Sequence, residues 1–422
     1  MLAVQALYTS LRSLKGNQRA CVFTEPLWAI PYNLLLPFAS LYMSAIGLID
    51  AQIGAIASLA LAMELVWGLL SGAIVDRFGR RKTMLIFGLL SWAISCALWA
   101  FAQNYWFFVL AAAFNSMWRV TGNSFSCMIV EDGDMKQMVN IYTILNIMGL
   151  LAGFLSPLYG LFVERNELVP AMRGLYGLAM VLMTLKFLIQ YRLSFESSMG
   201  EQRIQECKGR SILALSFGAW PAFKEALKQK HLLLCLLLMV LMTCFNTVQA
   251  NFWPLFVTDK YGISDSNLSV FPMVKAVVTL LAYIMITPRI NLLRIRRPLL
   301  LGFTAQGLGL ITLLLLLPMG AAAKGAVFFS AACDAFALAM LGPVMESLMS
   351  LSIPSGERAR INSMMFASIL LISLPAEWIA GQAAQLSRVL PLIMNLCLVI
   401  GETAVALGIA RVIQQERAVD PA

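Results

Sequence analysis

The chain reads as long apolar runs parted by short polar turns. A helix that crosses a bilayer needs about 20 predominantly apolar residues. Twelve runs meet that length, at roughly 24–47, 51–74, 83–102, 105–129, 139–163, 171–192, 231–256, 267–288, 298–318, 324–351, 361–386 and 390–411. Neighbouring runs pair into hairpins with short turns. The exception is segment 193–230, which is polar and holds Glu196, Glu201, Arg203, Glu206, Lys208 and Arg210. It divides the runs six and six. The pattern predicts an all-α membrane protein with twelve transmembrane helices. Two six-helix bundles, 1–192 and 231–422, flank a linker at 193–230. Within the linker, Phe217, Trp220, Phe223 and Leu227 share one helical face. That spacing fits a short helix lying on the membrane surface, or an ordinary linker with one amphipathic turn.

Composition sharpens this picture. Of the 422 residues, 60% are hydrophobic and only 13% are charged, whereas soluble domains carry about 25% charged residues. The net charge of +9 would suit a nucleic-acid partner, but its distribution excludes one. The basic residues gather in turns. With the N-terminus inside, 23 of the 31 Lys and Arg fall in cytoplasmic segments, five fall in external turns, and three lie inside spans. Positive charge collects on the cytoplasmic side of membrane proteins, so both termini are expected there. The expected location is the cytoplasmic membrane, with the bilayer as partner.

The eight cysteines form no CxxC pair, and most lie inside apolar runs. They imply neither a disulfide framework nor a zinc site. The single histidine, His231, stands at the start of an apolar run without ligand partners. No metal or other cofactor is expected. The first apolar run is too long for a cleaved signal peptide, so the chain is expected to be uncleaved, with a short cytoplasmic tail.

One turn stands out. "GAIVDRFGRRK", residues 72–82, packs five charges between the second and third runs. Gly72 permits close helix approach and Gly79 a sharp turn. Asp76 suits the positive N-terminal end of a helix. The arginines can pair with carboxylates where the two halves touch. The sequence Gly72-x-x-x-Asp76-Arg77-x-Gly79-Arg80-Arg81 matches every defined position of the loop motif of the major facilitator superfamily. The chain resembles that superfamily over its whole length, in the motif, the twelve runs and the six-plus-six division. A shift of 215 residues sets Asn291 under Asp76, and Arg296 and Arg297 under Arg81 and Lys82. This second copy lacks the glycines.

The resemblance implies an alternating-access transporter with no enzymatic activity, working as a monomer on a small-molecule substrate. It also implies a pairing of Arg80 with an acid after the fourth run, Glu131 or Asp132, that shuts the cytoplasmic side. A solvated acidic turn of Glu131, Asp132 and Asp134 is the other reading. The superfamily places runs 1, 4, 7 and 10 around a central cavity. Run 1 offers Glu25 and Asn33 among Pro26, Pro31 and Pro37. Run 4 offers Asn115, Arg119 and Asn123, spaced i, i+4, i+8 on one helical face. Run 7 offers Asn246, Gln249, Asn251 and Trp253, and run 10 offers Asp334.

Ionisable residues inside spans are costly and mark cavities or partners. They are Glu25, Glu64, Arg119, Lys186, Lys275, Asp334, Glu346, Glu377 and Glu402. Lys186 is near a span end and is expected to snorkel. Arg119, followed by Gly122, is similar to the span-4 arginine of drug–proton antiporters, without their longer glycine pattern. It serves proton coupling or anion binding, or else forms an ion pair with Glu64 or Glu25. Lys275, Asp334 and Glu377 fall at one depth, about 8 to 10 residues from the outer end at about 1.5 Å each. They are expected to cluster, either as a proton carrier or as a fixed ion pair.

No Gly-rich lysine loop for ATP is present, so an ion gradient is the expected driving force. Trp28, Tyr32, Trp118, Phe252 and Trp253 suit a partly apolar ligand, but equally suit helix interfaces. Proton-coupled efflux of a small organic compound leads. Uptake of a sugar or organic acid is the alternative. A non-transporting receptor and a membrane-embedded enzyme are readings from other classes.

Overall fold

The computed structural model describes residues 14–131, 138–213, 228, 230–285, 296–352 and 358–419, and every regular element among them is helical. In chain order these are α1 (Gly16–Thr24), α2 (Pro26–Leu35), a 3-10 turn (Leu36–Phe38), α3 (Ala39–Ala45), α4 (Asp50–Phe78) and α5 (Arg80–Gly88). A π-helical stretch (Leu89–Ile94) leads into α6 (Ser95–Ala100), then α7 (Tyr105–Asn115), α8 (Trp118–Val130), α9 (Met138–Asn166), α10 (Leu168–Leu193) and α11 (Ser198–Glu206). The second half holds α12 (Lys230–Tyr261), α13 (Asp265–Leu268), α14 (Val270–Met285) and α15 (Arg296–Leu315). A 3-10 stretch (Leu317–Ala323) follows, then α16 (Lys324–Ser352), α17 (Arg358–Leu386) and α18 (Leu390–Val419). Eight segments among the described residues are long and apolar enough to cross a membrane, beginning at Asp50, Arg80, Leu168, Leu232, Arg296, Leu317, Met365 and Leu390.

The first and fourth apolar runs are not single helices. Pro26 begins α2 and Pro31 lies within it, and a proline has no N–H to give the helix ladder. The chain therefore steps from α1 through Glu25 into α2, with Trp28 and Ala29 both donating to the Glu25 carbonyl at 2.9 Å. Between α7 and α8 the break falls at Ser116 and Met117. The Ser116 hydroxyl donates to the Ala113 carbonyl at 2.7 Å, and such back-bonding competes with the ladder and bends helices. In the linker, α11 is the described helix. The amphipathic face at Phe217, Trp220, Phe223 and Leu227 lies outside the described residues.

The chain folds as two compact units. The first comprises Met1–Phe38, Ala45–Gly47 and Leu59–Gly218, and the second comprises Ala39–Ser44, Leu48–Ser58 and Ala219–Ala422. In the first unit, α10 packs along α1, α2, α5 and α6. In the second, α12 packs against α17 and α18, and α16 against α14 and α15. The start of α4 belongs to the second unit and is fixed there against α17. A Cβ built on Gly54 would fall 2.6 Å from the Gly381 Cα and 2.7 Å from the Glu377 carbonyl oxygen. Only glycine allows backbones that near. The Ser58 hydroxyl donates to the Leu374 carbonyl at 2.7 Å. Arg388 closes the end of this seam, its Nε and Nη2 on the two Asp50 oxygens at 2.8 and 3.1 Å. The Asp50 hydrogen bonds hold the Arg388 guanidinium above its ordinary pKa.

A methyl group at Gly54 has nowhere to go. Gly54→Ala is expected to cost about 1–3 kcal/mol as overpacking, read by unfolding of the purified protein. Gly68, on the same helix, faces open space. Gly68→Ala is expected to be stabilising by up to about 1 kcal/mol through helix propensity. Equal effects at the two positions would refute the close contact.

Candidate functional site

The charged turn at 72–82 folds into a knot within the first unit. α4 ends at Phe78, and Gly79 takes φ +85°, a region open to glycine at little cost. α5 then starts at Arg80 with its first amides unpaired. The sequence assigned Asp76 to a helix N-terminus, but Glu196 takes that place. Its Oε1 accepts from the Arg80 amide at 2.7 Å and its Oε2 from the Arg81 amide at 3.1 Å. Asp76 pairs instead with Arg80 one turn on, at 3.1 Å. Gly72 makes no tight approach either: a Cβ there would touch only the Asn123 amide nitrogen, at an ordinary 3.9 Å.

Arg80 is the centre of the knot. Its side chain is 3% exposed and meets Glu131, itself 8% exposed, at 2.8 Å. The guanidinium Nε contacts both Glu131 oxygens at 3.0 Å. Glu131 also accepts from Ser197, whose hydroxyl caps α11 through the Gly200 amide at 2.9 Å. Asp132 lies outside the described residues. Arg81 donates to the Tyr191 carbonyl at 2.9 Å and stacks over the Tyr191 ring at 4.1 Å. Arg77 is half-buried and reaches the Arg210 carbonyl at 3.2 Å through an exposed contact. Glu196 and Ser197 escaped the sequence reading. The available signal was an acid and a helix-capping serine directly after a span.

Deeper in the first unit, two ion pairs sort the predicted charges. Arg119 pairs with Glu64, not Glu25, through Nη2 at 2.8 Å and Nε at 2.9 Å, and lies over the Trp118 ring at 4.0 Å. Glu25 pairs with Lys186 at 2.9 Å. Lys186 does not snorkel. It is buried among the rings of Trp28, Phe125 and Phe187, each within 5.5 Å of its nitrogen. A long cation snorkels only when no carboxylate is in reach, and Glu25 is in reach.

The predicted face of Asn115, Arg119 and Asn123 is split by the break at Ser116. Asn115 turns to the Ser91 carbonyl in the π-helical stretch at 3.0 Å, and Asn123 to the Ser71 hydroxyl at 3.3 Å. Asn33 bonds its own helix at the Ala29 carbonyl, 2.8 Å away. Trp28 stacks on Tyr32 with ring centroids 4.7 Å apart, and Trp92 stands edge-on to both.

In the second unit, Lys275 on α14 meets Asp334 on α16 at 2.5 Å, with Trp253 5.9 Å from the lysine nitrogen. Glu377 does not complete the expected trio. It sits fully buried on α17 and accepts from Asn251 on α12 at 3.3 Å. Equal depth along separate spans sets height but not azimuth, and the side chain points to another neighbour. Gln249 accepts from Asn395 at 2.9 Å. Asn246 is exposed. Among the described residues no group of three or more His, Cys, Asp or Glu is placed to hold a metal.

Arg80→Ala strands Glu131 in a buried place, which is expected to cost about 3–5 kcal/mol in unfolding of the purified protein. Arg77→Ala removes an exposed contact and is expected to stay within about 0.5 kcal/mol. Matching losses would show that the knot does not depend on Arg80.

Solved structures share this arrangement of helices. The chain is similar to the nucleoside transporter NupG, with a TM-score of 0.72 and 14% identity over 93% of this chain and 99% of that one. It is similar to a glutamate-to-glutamine mutant of the peptide transporter POT in complex with sulfate, with a TM-score of 0.69 and 14% identity over 93% and 95%. It is also similar to the inward open xylose transporter XylE from E. coli, with a TM-score of 0.64 and 17% identity over 93% and 94%. At such identities the likeness concerns the fold. The Major Facilitator Superfamily model matches residues 28–375, well over half of the chain. The chain is thus a transporter rather than an enzyme, and it belongs to the Major Facilitator Superfamily.

Proposed function

We propose that the chain is a secondary active transporter that works by alternating access and exports a small organic compound against protons. In this reading twelve spans cross the cytoplasmic membrane with both termini inside. The bundles 1–192 and 231–422 rock about the substrate, the linker 193–230 joins them, and the protein acts as a monomer. The observation that carries the reading is the pair of partly buried ion pairs, Arg119–Glu64 and Lys275–Asp334, one in each unit, each beside a tryptophan. Enclosing an ion pair costs desolvation that only good geometry and further hydrogen bonds repay, and a pair left partly open keeps one side on which its partners can be exchanged. These two stay accessible enough for a ligand or proton to compete for one partner. Trp28, Tyr32 and Trp92 supply flat apolar surface in the first unit.

A second reading, uptake of a small polar solute such as a sugar or organic acid, draws on the fold's neighbours. Those neighbours are transporters of nucleosides, peptides and xylose. In both readings Asp76, Arg80 and Glu131 govern gating rather than substrate affinity.

Reconstituted protein decides between these readings. A thermal-shift panel identifies a ligand, and its flux is then followed in liposomes under an imposed pH gradient. Outward accumulation that collapses with the gradient supports export, and inward accumulation supports uptake. Absence of flux for a ligand that binds would leave a receptor. Asp76→Asn is expected to slow flux while leaving affinity within a few-fold. Asp334→Asn is expected to abolish gradient-driven accumulation and preserve exchange of substrate down its own gradient. Full accumulation by Asp334→Asn would remove the Lys275–Asp334 pair from coupling.

A further inference from the structure

Two glutamates of the second unit belong to no ion pair among the described residues. Glu377 on α17 and Glu402 on α18 are both fully buried. Glu377 receives the Asn251 amide on one oxygen, and its Oε1 meets no donor among the described residues. Glu402 meets none with either oxygen. Cys244 on α12 lies within electrostatic reach of both carboxyls. The register agrees. α18 runs antiparallel to α12, with Asn395 on Gln249, Gly401 near Leu241 and Gly408 near Leu234. That sets Glu402 near the height of Cys244, and Glu377 lies further along, opposite Asn251.

Among the described residues no basic side chain serves this seam. Between His231 and Asp259, α12 offers only Cys235 and Cys244 as titratable groups. α17 offers only Glu377 between Arg360 and its C-terminal end. α15 carries none after Arg297 and presents Gln306, with an unpartnered Oε1. On α18 the other titratable group before Arg411 is Cys397, which is exposed. A buried charge without a partner is too costly to keep, and since the described residues supply no positive partner, a cation from solution can supply the match. A hard metal cation gathers about six or more oxygens, whereas among the described residues no group of three or more His, Cys, Asp or Glu is placed to hold a metal. A proton needs only the oxygen that it binds.

We propose that Glu402 and Glu377 form a proton-binding site between α12, α17 and α18, separate from the Lys275–Asp334 pair. Its use in transport rests on the proton-coupled reading above, but its existence does not.

The test is infrared difference spectroscopy of the purified full-length protein, titrated between neutral and alkaline pH in potassium buffer. The C=O stretch of a protonated carboxylic acid is expected at neutral pH, fading as pH rises. Glu402→Gln is expected to remove one band and Glu377→Gln another, and Asp334→Asn neither. If Glu402→Gln and the unaltered protein give the same spectra, the proposal is overturned. Should the glutamine variants fail to fold, Glu402→Asp keeps the acid and is expected to shift its band, and an unshifted band overturns the proposal equally. A band that fades at fixed pH when sodium chloride replaces potassium chloride would make the cation sodium and refute the proton. Transport is scored separately in liposomes. Both bands without proton-driven flux would refute the coupling and leave the site. Proton-driven flux without a Glu402 band would refute the site and leave the coupling.

Discussion

A charge away from water must be matched, and much of this chain's architecture follows from that cost. Lys186 abandons the span end to sit on Glu25. Arg119 finds Glu64, and Lys275 finds Asp334. Arg80 gathers Asp76 and Glu131 around one guanidinium. Apart from Asp76 with Arg80, each match joins elements distant in sequence, so the polar minority of the chain specifies how the apolar majority is arranged. Apolar helix faces are interchangeable in lipid, because a leucine meets tails as readily as another leucine. Buried ion pairs are not interchangeable, and they fix which helices are neighbours.

The same principle explains what the sequence could tell and where it stopped. Apolar length marks a spanning helix, so runs such as 51–74 and 171–192 foretold α4 and α10. The loop motif fixed the position of the sharp turn, and Gly79 bears the positive φ that such a turn requires. Partner choice was harder. Glu25 and Lys186 are 161 residues apart, and periodicity along one helix carries no information about the facing one. Glu377 was assigned by depth to Lys275 and Asp334, yet depth leaves rotation about the helix axis free. The break at Ser116 carries neither proline nor glycine. Its cause is a hydroxyl turned onto its own helix, which serines in intact helices do as well.

The two units handle their charges differently. In the first, every acid discussed within the membrane has a basic partner: Glu25 with Lys186 and Glu64 with Arg119. In the second, one lysine serves Asp334, and Glu377 and Glu402 are left with amide and thiol neighbours. One half thus carries its balance in its own side chains. Among its described residues the other leaves two buried carboxyls outside any ion pair.

The Glu196 cap also bears on how the chain is made. The amides of Arg80 and Arg81 are satisfied by a carboxylate 116 residues downstream of the turn that needs it. At about 5–20 residues per second, roughly 6–23 s of synthesis separate the turn from its cap. During that interval the start of α5 has water, or a transient partner, in place of Glu196. The first unit therefore becomes complete only once the beginning of the linker has left the ribosome. A half-protein ending at the last residue of α10 would lack the cap as permanently as the nascent chain lacks it briefly.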